Sequence, residues 1–197
     1  VVAECAAADV KALVVISAGF AEAGEAGRQQ QDAVLAEARA HGIRLVGPNC
    51  MGVLNTHPSI RLNATFAGRL PPHGHIAVAS QSGGLGITLL EIADERQIGL
   101  SMFVSLGNKA DVSGNDFLQY ADADPDTSVI LLYLESFGNP RRFSELARAI
   151  GRRKPIVVVK AGRGEAGTRA AGSHTAGLAT SDVAVDTLFH QCGVLRV

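Results

Sequence analysis

One histidine, His174, lies in a long segment of small residues that is suited to carrying a reactive group. The segment, about 162–180, separates a strand predicted at 155–161 from a helix predicted to begin at Ser181. It is too rich in glycine and alanine to pack a core of its own, and loops of this length are uncommon unless they have a function. An imidazole there can serve as a covalent carrier, a general base or a metal ligand, or it can be a solvent-exposed side chain without chemistry.

A serine- and glycine-rich turn follows a different predicted strand. The sequence Ser-Gln-Ser-Gly-Gly-Leu-Gly (80–86, the serine-glycine turn) comes after a strand predicted at 75–80 and begins a helix. Free N–H groups at a helix N-terminus attract anions, and glycines let a phosphate approach the backbone closely. Alternatively, a serine only caps the helix and the glycines only permit tight packing. The residues predicted to bind phosphate are Ser80, Ser82, Gly83 and Gly84.

Glu135 ends the apolar strand predicted at 128–135. A carboxylate in this position can accept a hydrogen bond from an imidazole and so fix its tautomer and orientation. Ligands of open α/β sheets bind beyond the carboxyl ends of the strands, where Glu135, the serine-glycine turn and His174 would meet. Together they suit a phosphohistidine site, whereas Glu135 alone is equally well a solvated acid.

Two further groups of residues follow predicted strands. The thiol of Cys50, which comes directly after Asn49, either faces the thioester of a ligand or is a buried structural side chain. Asn108, Lys109 and Asp111 either line the same cleft as Glu135 or cap the next helix.

No metal site is expected from the histidines and cysteines. His73 and His75 form a pair without a matching third ligand in the sequence. Cys5, Cys50 and Cys192 are too few and too scattered for a zinc site or a disulfide framework. A reducing, cytoplasmic location is therefore expected.

The composition indicates a globular protein with a substantial core. The chain has 197 residues, of which 47% are hydrophobic and 19% charged, and its formal net charge is −1. Nothing here favours nucleic acid or an anionic membrane as a partner. No apolar run reaches the roughly 18 residues of a membrane span, and no basic-then-apolar leader is expected from the pattern. Because the chain begins with Val1 in a helical pattern, we expect a fragment of a longer polypeptide.

The alternation of short apolar runs with amphipathic stretches predicts an α/β fold with parallel sheets covered by helices on both faces. We expect two doubly wound, Rossmann- or flavodoxin-like units at 1–66 and 75–197, separated by a proline- and glycine-rich linker at 67–74. The first unit lacks its opening strand and glycine turn. Its helices are predicted at 3–9 and 25–41, its strands at 12–17 and 43–46, and an extended stretch or hairpin at 53–66. The second unit has strands predicted at 75–80, 100–106, 128–135, 155–161 and 194–197, and helices at 83–97, 115–123, 139–153 and 181–192.

Five stretches carry a resemblance that extends almost from end to end. They are Gly47-Pro-Asn-Cys-Met-Gly-Val-Leu-Asn55, Ala79-Ser-Gln-Ser-Gly-Gly-Leu-Gly86, Ser105-Leu-Gly-Asn-Lys-Ala-Asp111, Leu131-Leu-Tyr-Leu-Glu-Ser136 and Gly172-Ser-His-Thr-Ala-Gly-Leu-Ala179. In this order they resemble the NDP-forming acyl-CoA synthetases, the group that contains ADP-forming acetate–CoA ligase and the α subunit of succinyl-CoA synthetase. The resemblance implies that 1–66 is the C-terminal part of a CoA-binding domain and that 75–197 is a succinyl-CoA-ligase-like, flavodoxin-type domain.

The resemblance also implies a mechanism. An acyl-CoA and phosphate would give an acyl phosphate, His174 would take the phosphoryl group, and a swinging loop would carry it to ADP. Glu135 would hold His174, and the serine-glycine turn would bind phosphate. Asn49 and Cys50 would approach the thioester end of CoA, and Asn108 is grouped with them as a CoA- or substrate-binding residue.

The implied cofactors are CoA, together with ATP or ADP and Mg²⁺ bound by an ATP-grasp module that this chain lacks. The implied partners are an acyl-CoA or carboxylic acid, phosphate, and an ATP-grasp domain or subunit, so an oligomer is expected. The family commonly has Ser-His-Thr-Gly-Ala, whereas Thr-Ala-Gly-Leu follows His174, a variant that resembles chains fused to an N-acetyltransferase domain. Two alternatives stay open: a CoA- or acyl-CoA-sensing regulatory domain of a protein lysine N-acetyltransferase, and a nucleotide-binding module without catalysis.

Overall fold

The computed structural model describes residues 1–161 and 182–197, which form two sheets of unequal size. The smaller unit contains α1 (Val2–Ala7), β1 (Ala12–Val14), a short 3-10 helix (Ala21–Ala23), α2 (Glu25–Ala40) and β2 (Arg44–Val46). β1 and β2 pair in parallel, and Ala38, Ile43 and Leu45 form a small buried core.

The larger unit is built on seven strands and has helices on both faces. Its elements are β3 (Gly52–Asn55), β4 (Leu62–Thr65), β5 (His73–Ser80), α3 (Gly83–Glu95), β6 (Leu100–Ser105), α4 (Gly114–Ala123), β7 (Val129–Leu134), α5 (Pro140–Ile150), β8 (Ile156–Lys160), α6 (Asp182–Cys192) and β9 (Leu195–Arg196). The strand order is β4-β3-β6-β5-β7-β8-β9, and β5 to β9 are parallel. The order β6-β5-β7-β8-β9 is that of a flavodoxin-like sheet, as the sequence predicts.

The central strand β5 shows why this sheet is apolar on both sides. Ala77 and Ala79 belong to the core that also contains Phe143 of α5, together with residues of α4 and α6. Val78, between them, belongs to a separate core with Leu90 of α3. Successive side chains of a strand point to opposite faces, so a strand covered on both faces must be apolar throughout.

The hairpin formed by β3 and β4 is the main difference from the sequence analysis. Residues 53–66 were expected to end the first unit, but β3 pairs antiparallel with β6 and extends the larger sheet. The pairing of Leu54 with Phe103 joins residues far apart in the chain, and a local pattern of apolar residues cannot reveal such a partner. The division into domains at 66 stays a prediction.

The other predicted helices and strands are present, with ends within three residues of their predicted positions. β5 begins at His73, so the last two residues of the predicted linker 67–74 belong to the sheet. Among the helices of the described residues, none has both the length and the apolar character needed to cross a membrane.

Asp111, in the loop after β6, connects the two units. Its carboxylate accepts hydrogen bonds from Arg44 Nε at 2.7 Å, Arg39 Nη2 at 3.3 Å and the Leu45 N–H at 3.0 Å. Burial opposes the ionisation of Asp111, but these hydrogen bonds, led by that from Arg44, lower its pKa overall. Asp111 therefore holds β2 against the larger sheet rather than capping a helix.

Candidate functional site

The strand order of the larger sheet reverses between β5 and β7. The chain leaves β5 for β6 on one side and later returns to β7 on the other, which opens a crevice beyond the carboxyl ends of these strands. Ser80, at the end of β5, pairs with Tyr133 of β7, and the Gln81 N–H donates to the Tyr133 carbonyl at 3.0 Å. The structure thus brings Glu135 and the serine-glycine turn to the same edge of the sheet.

The buried side chain of Gln81 joins these two predicted parts of the site. Gln81 Oε1 accepts hydrogen bonds from the Glu135 N–H at 2.9 Å and from the Ser136 N–H at 3.1 Å. Gln81 Nε2 lies 3.4 Å from Ser136 Oγ, to which it donates. The backbone that carries the Glu135 carboxylate is therefore fixed to the turn by an amide side chain that the sequence analysis did not select.

Lys109, which is half-buried, completes this arrangement. Its Nζ donates to Gln81 Oε1 at 3.0 Å, and to the carbonyl and the Oγ of Ser136 at 2.7 and 2.8 Å. Burial lowers the pKa of Lys109 to about 8; the carboxylate of Glu135 opposes this shift and the positive charge of Lys160 adds to it. Of the two roles considered for Lys109, its contacts favour lining the cleft.

A capping box at the start of α4 explains why Lys109 is not needed to cap that helix. Ser113 is the N-cap residue, and the Asp116 carboxylate accepts hydrogen bonds from the Ser113 N–H at 2.9 Å and the Ser113 hydroxyl at 2.7 Å. The loop between β6 and α4 is therefore free to direct Asn108 and Lys109 elsewhere.

The two serines of the turn have different functions in the fold. Ser80 is fully buried, and its hydroxyl donates to the Ser82 carbonyl at 2.6 Å, so it shapes the turn instead of facing a ligand. This contact does not support a direct donation from Ser80 to phosphate. Ser82 is the N-cap of α3, and its Oγ accepts a hydrogen bond from the Leu85 N–H at 3.4 Å. The hydroxyl hydrogen of Ser82 can still donate to an anion.

The glycines of the turn show which of them packing requires. A Cβ on Gly86 would lie 2.8 Å from Met51 Sδ and 2.8 Å from Phe103 Cζ, so Gly86 is required by the contact between α3 and the sheet. Among the residues that the structure describes, a Cβ on Gly83 would meet only Met51 Cβ at 4.0 Å, and one on Gly84 would meet nothing within 4 Å. Tight packing therefore explains Gly86 but leaves open space above the first turn of α3, whose N–H groups have no partner within the helix.

Asn49, Cys50 and Asn108 lie together at the junction of the two units, but they differ in exposure. Asn49 Nδ2 donates to Asn108 Oδ1 at 3.3 Å, and both side chains are half-buried. Cys50 is 4% exposed, and its thiol donates to the Val15 carbonyl at 3.4 Å. Burial raises the pKa of Cys50, which disfavours a reactive thiolate. These contacts favour the structural alternative for the thiol of Cys50.

A small polar network anchors Asn108 to the first unit. Asn108 Nδ2 donates to Gln31 Oε1 at 3.0 Å and to the carboxylate of Glu22. Burial opposes the ionisation of Glu22, but its hydrogen bonds, beginning with that from Asn108, lower its pKa overall. Glu22 and Gln31 were not selected from the sequence because neither follows a strand.

His174 lies outside the described residues, and its position stays a prediction. Ala161, the last described residue before it, donates its N–H to the Leu134 carbonyl at 2.9 Å. Leu134 directly precedes Glu135, so the chain leaves β8 beside the proposed partner of His174. Asp182, where the description resumes, pairs with Arg196 of β9 at 2.5 Å.

A second group of ionisable side chains lies at the opposite, amino end of β5. The ring of His73 lies 5.8 Å from that of His57 and 6.1 Å from that of His75. His57 pairs with the Asp126 carboxylate at 3.1 Å, and His75 Nδ1 donates to the Asp126 carbonyl at 2.8 Å. A cavity of about 200 Å³ lies beside His57, Tyr120 and Asp126. In residues 1–161 and 182–197 no group of three metal-ligating side chains has a geometry that could hold a metal ion.

The fold is that of a flavodoxin-type α/β domain, and the N-terminus of α3 lies at its switch point. The model of the succinyl-CoA ligase like flavodoxin domain matches residues 73–197, and that of a CoA binding domain matches residues 1–56. The chain therefore belongs to the succinyl-CoA-ligase-like family, as the sequence resemblance predicts.

Characterised relatives and solved structures agree with this assignment. The chain is 45% identical over 195 residues to ADP-forming acetate–CoA ligase I of Archaeoglobus fulgidus, covering 99% of this chain and 28% of that protein. It is 44% identical to subunit α of ADP-forming acetate–CoA ligase I of Pyrococcus furiosus, covering 100% of this chain and 42% of that subunit. It also superposes with a TM-score of 0.93 and 42% identity on the dinucleotide forming acetyl-coenzyme A synthetase 1 of Ca. Korarchaeum cryptofilum in complex with phosphate and ADP, over 100% of this chain and 42% of that one. The chain thus spans less than half the length of these relatives.

Proposed function

We propose that this chain supplies the CoA-binding and phosphoryl-accepting part of an NDP-forming acid–CoA ligase, which converts acyl-CoA, phosphate and ADP into acid, CoA and ATP. The observation that carries this proposal is the position of Glu135 beside the open first turn of α3, at the switch point of the sheet. A carboxylate and an anion-binding helix end lie there at the carboxyl ends of neighbouring strands. The similarity to two ADP-forming acetate–CoA ligases supports the same reaction class.

The chemistry has three balanced steps. Phosphate attacks the thioester carbonyl of acyl-CoA, which gives an acyl phosphate and releases CoA as a thiol. The imidazole of His174 then attacks the phosphorus atom, and the carboxylate of the acid leaves with the electron pair of the broken P–O bond. The phosphoryl group finally passes from the imidazole to the terminal phosphate of ADP. Each step depends mainly on positioning and on stabilising charge.

The serine-glycine turn would hold the phosphoryl group. The backbone N–H groups of Gly83 and Gly84 lie at the positive end of α3, and the hydroxyl of Ser82 adds a donor. Because none of the described residues fills the space at Gly84, a phosphate oxygen can approach this backbone. Ser80 contributes indirectly, since its hydroxyl holds the Ser82 carbonyl.

Glu135 would orient the reacting imidazole. A carboxylate that accepts a hydrogen bond from one ring N–H fixes the proton on that nitrogen. The other nitrogen is then unprotonated and therefore nucleophilic. The hydrogen bond to Gln81 fixes the backbone of Glu135, which restricts the positions that its carboxylate can take. His174 is thirteen residues beyond Ala161 in the sequence, which is long enough to reach this edge.

CoA would bind where the smaller unit meets the loop after β6. Asn49 and Asn108 are half-buried and hydrogen-bonded to each other there. Both N–H donors of Asn108 are engaged by Glu22 and Gln31, so Asn108 would position Asn49, whose Oδ1 and second N–H would contact the ligand. Because the thiol of Cys50 is buried, Cys50 would contact CoA through its backbone and not through its thiol. ATP or ADP with Mg²⁺ would bind on an ATP-grasp domain or subunit outside this chain, in a cytoplasmic assembly of several subunits.

The experiment that tests this proposal is phosphoryl labelling of the full-length protein. The protein, with its ATP-grasp partner where that is a separate subunit, is incubated with radiolabelled ATP and Mg²⁺, which makes the assay independent of the acid used. We expect an acid-labile, alkali-stable label that His174→Ala abolishes, while His190→Ala, at the end of α6, retains it.

The absence of any label from an active, folded preparation would contradict the ligase and favour the regulatory alternative. In that case a CoA- or acyl-CoA-sensing role beside a protein lysine N-acetyltransferase domain would be expected, and acetyl-CoA binding without phosphorylation would be the result to look for.

A further inference from the structure

The side chain of Lys109 has no N–H donor left for a ligand. Its three donors go to Gln81 Oε1 and to the carbonyl and Oγ of Ser136, at 3.0, 2.7 and 2.8 Å. An ammonium group has three N–H bonds, so this set is complete. A lysine that served to bind phosphate directly would need at least one of these donors to point away from the protein.

The acceptors of Lys109 are the same atoms that fix Glu135. Gln81 Oε1 accepts from Lys109 and from the N–H groups of Glu135 and Ser136. The Ser136 carbonyl and hydroxyl, which follow Glu135 in the chain, also accept from Lys109. The ammonium group therefore closes a small ring of hydrogen bonds around the backbone of Glu135 and Ser136, which we name the Glu135 corner.

The charges around the Glu135 corner come from several elements. Lys109 and Lys160, from the ends of β6 and β8, are positive and lie close enough to Glu135 to interact with it. Burial and, to a smaller extent, the negative charge of Glu135 raise the pKa of Tyr133 in β7. Lys160 in turn faces Arg196 and Asp182, which pair with each other.

We propose that Lys109 is a positioning residue for the ligase reaction: with Gln81 it fixes the Glu135 corner, and its ammonium group attracts the Glu135 carboxylate that orients the imidazole. This inference rests on the proposed function. Lys109 acts through Glu135 and does not touch the phosphoryl group.

If Lys109 positions Glu135, the labelling rate should depend on the charge of Lys109, which it would not do if Lys109 only stabilised the fold. Because burial lowers the pKa of Lys109 to about 8, raising the pH above that value removes its charge and one of its three donors. The rate of phosphoryl labelling should therefore fall above about pH 8. The stability of the fold should change in the opposite direction, because a lysine with a lowered pKa favours folding increasingly as the pH rises from about 8 towards its ordinary value of 10.5.

The test measures the initial rate of labelling against pH for the full-length protein and three variants, with radiolabelled inorganic phosphate and the acyl-CoA that supports the fastest labelling. This transfer takes place at the Glu135 corner, whereas labelling from ATP takes place on the ATP-grasp module and serves as the control. Lys109→Met should reduce the rate by about 10- to 100-fold, since a small misplacement of a reacting group costs up to this much, and the remaining rate should not fall near pH 8. Lys109→Arg keeps a positive charge at all accessible pH values, so it should retain more activity than Lys109→Met and move the alkaline fall upward. Lys154→Met is the matched control, because Lys154 is a half-buried lysine whose Nζ also donates three hydrogen bonds, at the far end of the sheet.

The outcomes separate this inference from the proposed function. If the unaltered protein takes no label from ATP or from phosphate at any pH, the proposed function itself is contradicted. If it takes the label but shows no fall above pH 8, or if both Lys109 variants keep its rate and pH profile, Lys109 is only structural. The pH profile of the unaltered protein and the Lys109→Arg variant keep the test decisive even if Lys109→Met does not fold.

Discussion

Two half-buried lysines at opposite ends of the larger sheet make similar numbers of hydrogen bonds with different consequences. Lys154 Nζ donates to the backbone carbonyls of Ala121, Asp122 and Asp124, at 2.8, 2.9 and 2.6 Å, where α4 ends. Lys109 donates mainly to side chains and to one carbonyl beside Glu135. The first arrangement satisfies the open end of a helix. The second couples a charge to a carboxylate at the edge where ligands bind.

The same contrast extends to the two edges of the sheet. At the amino end, His57 pairs with the Asp126 carboxylate and His75 donates to the Asp126 carbonyl, and the buried hydroxyls of Ser101 and Thr127 pair at 2.8 Å. At the carboxyl end, the first N–H groups of α3 have no partner within the helix, and none of the described residues fills the space at Gly84. Parallel strands place helix N-termini at the carboxyl edge, so only this edge offers positive dipole ends to an anion.

The largest effect is expected when the negative charge of Glu135 is removed while the size and shape of its side chain are kept. Glu135→Gln should lower the rate of phosphohistidine formation by about 100-fold or more, because a preorganised charge is lost where the imidazole is oriented. The midpoint of thermal unfolding should change little. Asp126→Asn removes a carboxylate from the amino edge and should leave the labelling rate intact. Equal rates in the unaltered protein and Glu135→Gln would remove Glu135 from the mechanism.

The sequence predicted those features of the carboxyl edge that depend on short, local sequence patterns. The apolar runs of β5 and β7 and the glycines after β5 predicted that the serine-glycine turn and Glu135 lie at one edge, because parallel strands end on the same side. The roles of Gln81 and Ser80 could not be predicted, since both depend on which backbone groups come within reach once β5 and β7 pair.

The position of the hairpin was also beyond the local pattern. β3 and β4 were expected as an extended stretch or hairpin, but their partner β6 follows an intervening strand and helix. The burial of Cys50 likewise depends on contacts that the local sequence does not reveal. Its place after a strand allowed either a ligand contact or burial, and only the packing against Val15 distinguishes the two.

Two glycines of the same helix sharpen the distinction between packing and binding. Gly86→Ala should destabilise the fold by about 1–3 kcal/mol, because its methyl group would press against Met51 and Phe103. Gly84→Ala should leave stability unchanged or raise it by up to about 1 kcal/mol, since alanine favours a helix. Its methyl group should nevertheless weaken phosphate binding, measured by calorimetric titration of inorganic phosphate. Phosphate affinity that Gly84→Ala leaves unchanged would contradict the placement of the anion at this turn.

The smallest effect is expected at the amino edge, where Lys154→Met tests whether the second lysine is purely structural. Methionine has a similar length but no donors, so the three carbonyls at the end of α4 must turn to water or remain unpaired. We expect a loss of about 1–2 kcal/mol in the free energy of unfolding, measured by urea denaturation, because Asp122 and Asp124 are only half-buried and water can replace part of the interaction. The labelling rate and its fall above pH 8 should match those of the unaltered protein at temperatures where both are folded. A changed pH profile in Lys154→Met would mean that the two ends of the sheet are coupled, and the alkaline fall could then no longer be assigned to Lys109.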